Sequence, residues 1–217
     1  MLETDIDTIL FKLRGIVPYK APSPASPAQT LVSTVFSFVA LLCVGYANRS
    51  FSELGEDSSV MIGSFGATAV LLFHAIESPL AQPPNLVFGH VLSAIVGVAV
   101  SKLFTITALQ SVRSQIAPAL SVALSIGVMG LTNCMHPPAG ATALIAVIGS
   151  PQIQALGFSY VVRPVITGVA VMLLCAIVFN NLVKGRRYPN FWMQQMWWQW
   201  PWAAKAVPAP LGTITAR

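Results

Sequence analysis

Residues 133–149 read Asn133-Cys134-Met135-His136-Pro137-Pro138-Ala139-Gly140-Ala141-Thr142-Ala143-Leu144-Ile145-Ala146-Val147-Ile148-Gly149, and this stretch decides the fold. A polar break comes first, then a histidine, two prolines and a short apolar run over residues 139–148. Proline suits the first position of a helix, where its missing N–H would have no partner anyway. The spacing therefore predicts a helix starting near Pro137. Its apolar part is too short to cross a bilayer upright, which takes about 20 residues. A helix that starts inside a membrane leaves its first N–H groups unpaired, tolerable only where protein or a water-filled cavity meets them.

The same text occurs earlier in the chain. Gly66-Ala67-Thr68-Ala69-Val70-Leu71 matches Gly140-Ala141-Thr142-Ala143-Leu144-Ile145, and Ser78-Pro79 matches Ser150-Pro151. Val96-Gly97-Val98-Ala99-Val100 is echoed by Thr167-Gly168-Val169-Ala170-Val171. Six apolar segments are expected, over residues 29–47, 60–76, 86–104, 116–131, 139–148 and 160–183. They form two sets of three in the order long, short, long. Short, glycine-interrupted segments at matching places in two halves point to a transport site. The positive pole of each helix start attracts anions. Two such starts facing each other, one at Ser64–Thr68 and one at His136–Thr142, would make a small hydrogen-bonding site, with Ser64 as a cap.

Composition fits a membrane protein. Charged residues make up 9% of the 217, against about 25% in soluble domains, and 55% are hydrophobic. The central charges are few: Arg49, Glu53, Glu56, Asp57, Glu77, Lys102, Arg113 and Arg163. This disfavours disorder, a nucleic-acid module and a soluble enzyme. No nucleotide-binding loop, paired carboxylates or nucleophile–base spacing suggests catalysis, and Cys43, Cys134 and Cys175 have no metal-site or disulfide spacing. No cofactor is expected, and no nucleic-acid partner.

The all-α fold is expected to be a polytopic helix bundle in three regions. Residues 1–28 form a cytoplasmic segment, with Ile6, Ile9, Leu10 and Leu13 at helical spacing and a stiff linker through Pro18, Pro22, Pro24 and Pro27. Residues 29–187 form the membrane domain. Residues 188–217 form a tail in which Tyr188, Phe191, Trp192, Trp197, Trp198, Trp200 and Trp202 read as an interfacial anchor. The basic tail over residues 184–217, with Lys184, Arg186, Arg187, Lys205 and Arg217, places both termini in the cytoplasm, with a bacterial inner membrane as the expected location. Two topologies fit: six full crossings with inverted repeats, or four crossings with the short segments re-entrant. Lys102 and Arg113 around the loop over 105–115 favour four.

The text from Ser64 to Phe73, Glu77-Ser78-Pro79-Leu80-Ala81-Gln82-Pro83, Gly89-His90, His136 to Leu144, Asn180-Asn181 and Arg187-Tyr188-Pro189 resembles the HPP family of integral membrane proteins. The resemblance covers roughly residues 30–192 and implies four transmembrane helices. Members from plastids and cyanobacteria are associated with nitrite transport, so it also implies a transporter or channel for nitrite or a related small anion. Where the family text is expected to have arginine after Gln82-Pro83, this chain has Pro84.

His136 is the leading candidate, as an anion donor, a proton relay or a structural cap. Pro137 and Pro138 are geometric. Thr68 and Thr142 offer hydroxyls to an ion or back-bond to their own helices. Gly66 and Gly140 permit close backbone approach to a ligand or a helix. His90, deep in apolar text, needs a polar partner and is the second pathway candidate, as a gate or proton relay. Asn133 lines the second site or caps the break. His74 with Glu77, and separately Lys102 and Arg163, read as interfacial. Gly89–Ser93–Gly97 could serve a homo-oligomer interface. The lipid bilayer and a small anion are the expected partners. A neutral-solute channel and a non-transporting membrane scaffold are the alternatives.

Overall fold

A computed structural model describes residues 25–49, 62–106 and 111–192. The expected N-terminal helix and linker, and Trp197, Trp198, Trp200 and Trp202 of the tail, lie outside these residues. Among the described residues the chain is helical, with no strand.

Helix α1 (Pro27–Arg49) starts with a reciprocal cap. Ser26 N donates to Gln29 Oε1 at 3.1 Å, Gln29 N donates back to Ser26 Oγ at 3.3 Å, and Pro27 takes the first turn. Helix α2 (Ser64–Phe73) has ten residues, shorter than the apolar segment that contains it. It stops where His74 N and Ala75 N both turn back to Val70 O, ahead of the tight turn Pro79–Ala81. Helix α3 (Pro83–Ile106) is longer than its apolar core because Pro83 and Pro84 fit its first turn.

Helix α4 is Arg113–Leu131, and α5 is Pro137–Ile148, starting at the residue its double proline predicts. A short helix, α6 (Pro151–Ala155), follows. The last long segment is kinked. Arg163 is extended before Pro164, as pre-proline sterics favour, and regular helix α7 runs Thr167–Leu182.

Hydrogen bonds at the two ends of the bundle give each helix its direction. At one end, Ser33 near the start of α1 donates to Phe73 O at the end of α2, at 2.6 Å. Arg186, just past α7, reaches both residues. Tyr188 Oη donates to Ala81 O ahead of α3, at 2.8 Å. At the other end, Arg113 opening α4 donates to Ser101 Oγ late in α3 at 3.1 Å, and to Gln154 Oε1 beyond α5 at 2.8 Å. Thus α1, α3 and α5 run away from the first end, and α2, α4 and α7 run towards it.

Among the described residues the segments long and apolar enough to cross a membrane are four: α1 (to Asn48), α3, α4 and Val161–Leu182. The ten residues of α2 and the twelve of α5 cover about 15 and 18 Å at 1.5 Å per residue, near half of a ~30 Å hydrocarbon core. They nevertheless share in the alternation of direction. The end of α3 and the start of α4 lie at the end away from α1's start, against the expectation that charge counting drew from Lys102 and Arg113.

The outer surface is apolar. Leu31, Val35, Phe38, Leu42 and Tyr46 form an exposed stripe along α1, and Leu174, Val178 and Leu182 another along α7. Such stripes suit lipid, not water. Inside, Phe36 packs on Phe73 and Phe179 with ring centroids 6.4 and 5.2 Å apart. Lipid removes most hydrophobic drive between helices, so close packing matters more. At Gly97 an added Cβ would lie 2.5 Å from Ala143 O, so α3 and α5 touch backbone to backbone. Gly89, Ser93 and Gly97 are all buried among α3, α4 and α5, so this small-residue stripe is an internal seam of the bundle.

Candidate functional site

The starts of α2 and α5 pass one another in opposite directions. Ser64, first residue of α2, has its hydroxyl 2.8 Å from that of Thr142, one turn into α5. Thr68, one turn into α2, lies 3.4 Å from Nε2 of His136, the residue before α5. The two starts therefore overlap side by side rather than point at a common centre. Ser64 is not a cap: Gly63 precedes the helix, and no side chain caps that start.

His90 of α3 fills the space between them. Its Nε2 is 2.9 Å from Thr68 Oγ1 and its Nδ1 is 2.7 Å from Thr142 Oγ1. Thr68 also donates to Ser64 O at 3.0 Å. His136 Nδ1 donates to Leu80 O at 2.8 Å, in the turn before α3. The two imidazole centroids are 4.9 Å apart, and Phe65 lies 5.6 Å from the His90 ring. Tyr160 Oη closes the far side, donating to Thr142 O at 3.0 Å. Thr68, His90, His136 and Thr142 are 0% exposed and Ser64 1%.

Sequence features explain this assembly. Gly89 lets α3 approach closely: an added Cβ would sit 2.7 Å from His136 Cβ. Asn85 Nδ2, next to Pro84, donates to Met135 O at 2.8 Å and ties the break before α5 to α3. Pro84 itself is buried in the first turn of α3.

The remaining sequence candidates are scattered. Pro137 is exposed and Pro138 buried at the start of α5. Gly140 is buried, with Val122 in ordinary contact range. Gly66 faces outward, with nothing within 4 Å of an added Cβ. Asn133 is exposed with φ 50°, in the turn that ends α4. His74 and Glu77 line a cavity of about 380 Å³ at the first end of the bundle, with Ser33 and Arg186. Arg163 is exposed, and Lys102 Nζ lies 5.9 Å from the Phe158 ring centroid.

Two arginines hold the far ends of the short helices. Arg186 donates to Phe73 O, the last carbonyl of α2, and to Ser33 Oγ at 3.2 Å and Asn180 Oδ1 at 2.8 Å. Its partial burial lowers its pKa below the ordinary value. Arg113 acts through Gln154, whose Nε2 donates to Gly149 O after α5 at 2.8 Å. A cation suits a helix C-terminus. Neither role was visible in the sequence, where Arg186 belonged to a basic tail and Arg113 to a loop. Tyr188 corrects an expectation: it is 1% exposed, holding Ala81, and is no interfacial anchor. Among the described residues no cluster of three or more His, Cys, Asp or Glu could hold a metal.

The family model described as "HPP, transmembrane region" matches residues 22–189. Two curated relatives, both named only as transmembrane proteins of Dictyostelium discoideum, are similar to the chain. One is 45% identical over 64% of this chain and 47% of its own length. The other is 40% identical over 80% of this chain and 54% of its own length. The chain thus spans about half the length of the curated relatives it matches. No solved structure matches it.

Proposed function

The chain belongs to the HPP family of integral membrane proteins, and from that premise we propose that it is a transporter or channel for a small anion, with nitrite the first choice. The observation that carries the reading is the buried network of Ser64, Thr68, His90, His136 and Thr142 where two short helices overlap. Polar side chains deep in an apolar bundle are costly, and they concentrate along substrate and ion pathways. Hydroxyls, imidazole N–H groups and helix starts are donors that suit an anion. Nitrite comes from the family resemblance alone. No step asks the chain to act as an enzyme.

In this reading the anion enters by exchanging a contact inside the network for contacts to itself. The 3.4 Å pair between Thr68 and His136 is the longest there and the first to yield. Lys184, Arg186 and Arg187 at the first end of the bundle support a cytoplasmic placement of that end.

A second reading, a non-transporting scaffold, is favoured by one observation: these polar groups pair with one another and are shut from solvent. Uptake of nitrite and other small anions into sealed proteoliposomes separates the two. Protein-dependent uptake supports transport. Its absence for every anion from a folded, inserted protein supports the scaffold.

A further inference from the structure

The network has fewer hydrogens than contacts. His136 Nδ1 faces the carbonyl of Leu80, which can only accept, so Nδ1 carries a hydrogen and Nε2 of the neutral ring carries none. That bare nitrogen faces Thr68 Oγ1 at 3.4 Å. Thr68 has one hydroxyl hydrogen, and it donates to Ser64 O at 3.0 Å. His90 Nε2, 2.9 Å from the same oxygen, must then supply its own hydrogen. A neutral His90 that does so has none left for Nδ1, 2.7 Å from Thr142 Oγ1. Thr142 gives its one hydroxyl hydrogen to Ser64 Oγ at 2.8 Å, so it does not fill that contact. The contacts at His136 Nε2 and His90 Nδ1 are therefore both without a hydrogen. Turning Thr68 towards His136 fills the first and still leaves the second bare.

We propose that the His90–Thr68–His136 network is a proton-binding site, loaded together with the anion, so that one proton and one monovalent anion cross as a neutral pair. This rests on the transport reading above. The proton comes from water on the side of entry and sits on His136 Nε2. It donates from there to Thr68 Oγ1, and returns to water when the anion leaves. No other bond is made or broken.

The surroundings explain why the two ions load together. α2 presents Phe65, Ser64 and Thr68; α5 presents Thr142; the turn before α3 presents only the Leu80 carbonyl. α4 presents Ser125, paired with Ser93 at 2.5 Å, and the break after it presents Cys134, whose thiol is paired with Thr132. The chain before α7 presents the Tyr160 phenol, held by Thr142 O. Among the described residues these elements bring to the site, the titratable groups are the two histidines, Cys134 and Tyr160, and no Asp, Glu, Lys or Arg among the described residues is buried. An imidazolium here has no counterion, and an anion here has none either. A buried charge is costly unless it is paired. Each ion therefore removes the obstacle to the other.

The test measures initial rates of nitrite uptake by the full chain in proteoliposomes, with protein-free vesicles subtracted because nitrous acid crosses lipid. One series imposes a proton gradient with the potential clamped at zero by potassium and valinomycin. The other imposes a potential at equal pH. A rate that rises with external acid and ignores the potential is expected, with accumulation approaching about tenfold per pH unit. A rate that follows the potential and ignores the proton gradient would overturn this inference and leave the anion reading standing. No protein-dependent uptake in either series removes both. His136→Asn keeps a donor for Leu80 O but cannot take the proton, so it should lose the response to external acid. If it folds and keeps that response, His136 is not the carrier. If it does not fold, the wild-type comparison still decides.

Discussion

Thr68 Oγ1 lies 2.9 Å from His90 Nε2 and joins the first short helix to the third apolar segment. The same oxygen reaches His136, so one hydroxyl links α2, α3 and the start of α5. Thr68→Val keeps the shape and removes the hydroxyl, leaving buried ring nitrogens without a partner. It should destabilise the protein by about 1–3 kcal/mol, whereas Thr68→Ser should fall well short of that. Thermal unfolding in detergent, with the wild type alongside, checks both.

Gly66 and Gly89 are not equivalent. Gly66 has open space around it, so Gly66→Ala should be neutral or stabilise by up to about 1 kcal/mol through helix propensity. Gly89→Ala puts a methyl group 2.7 Å from His136 Cβ. It should cost about 1–3 kcal/mol by overpacking and move His136 away from Thr68. Comparing the two unfolding curves is enough, and equal effects would contradict the packing described for α3 and α5.

Arg186→Met removes the cation at the end of α2 and leaves Phe73 O, Ser33 and Asn180 short of a donor. A loss of about 2 kcal/mol or more is expected, because a bond to a charged group is worth about 1.5–3 kcal/mol. The loosening should be local. Hydrogen exchange should quicken over residues 70–75 before it does in α4, and uniform quickening would argue against a local cap.

Direction alternates along the chain, and labelling can test it. With Cys43, Cys134 and Cys175 replaced, single cysteines at Ser26, Ser78 and Gly185 should react from one side of the membrane. Those at Ser114 and Ser150 should react from the other. Labelling of Ser78 and Ser114 from the same side would contradict the helix directions.

The sequence revealed the skeleton because its signals are local. The double proline after His136 announced the start of α5, and the first, third and sixth apolar segments were recognisable by length, the fourth only marginally. Proline also hid a start: Pro83 and Pro84 lie ahead of the expected segment over 86–104 but begin α3, since a first turn tolerates them. His90 was recognisable as a buried polar group needing a partner, yet its partners lie 22 and 52 residues away in the chain. No spacing rule connects them. Arg186 and Tyr188 were hidden for a different reason. Basic and aromatic residues after a last span usually sit at the interface. Here the chain folds back, so that they reach Phe73 and Ala81.

The most direct measurement of the central claim is nitrite uptake into sealed proteoliposomes by the wild type and by His136→Ala, both shown to be folded and inserted. It is run well above the pKa of nitrous acid, with protein-free vesicles as background. The account predicts uptake above background for the wild type and a fall of at least tenfold for the variant. Wild-type uptake that His136→Ala leaves unchanged, or none from a folded wild type, would contradict it.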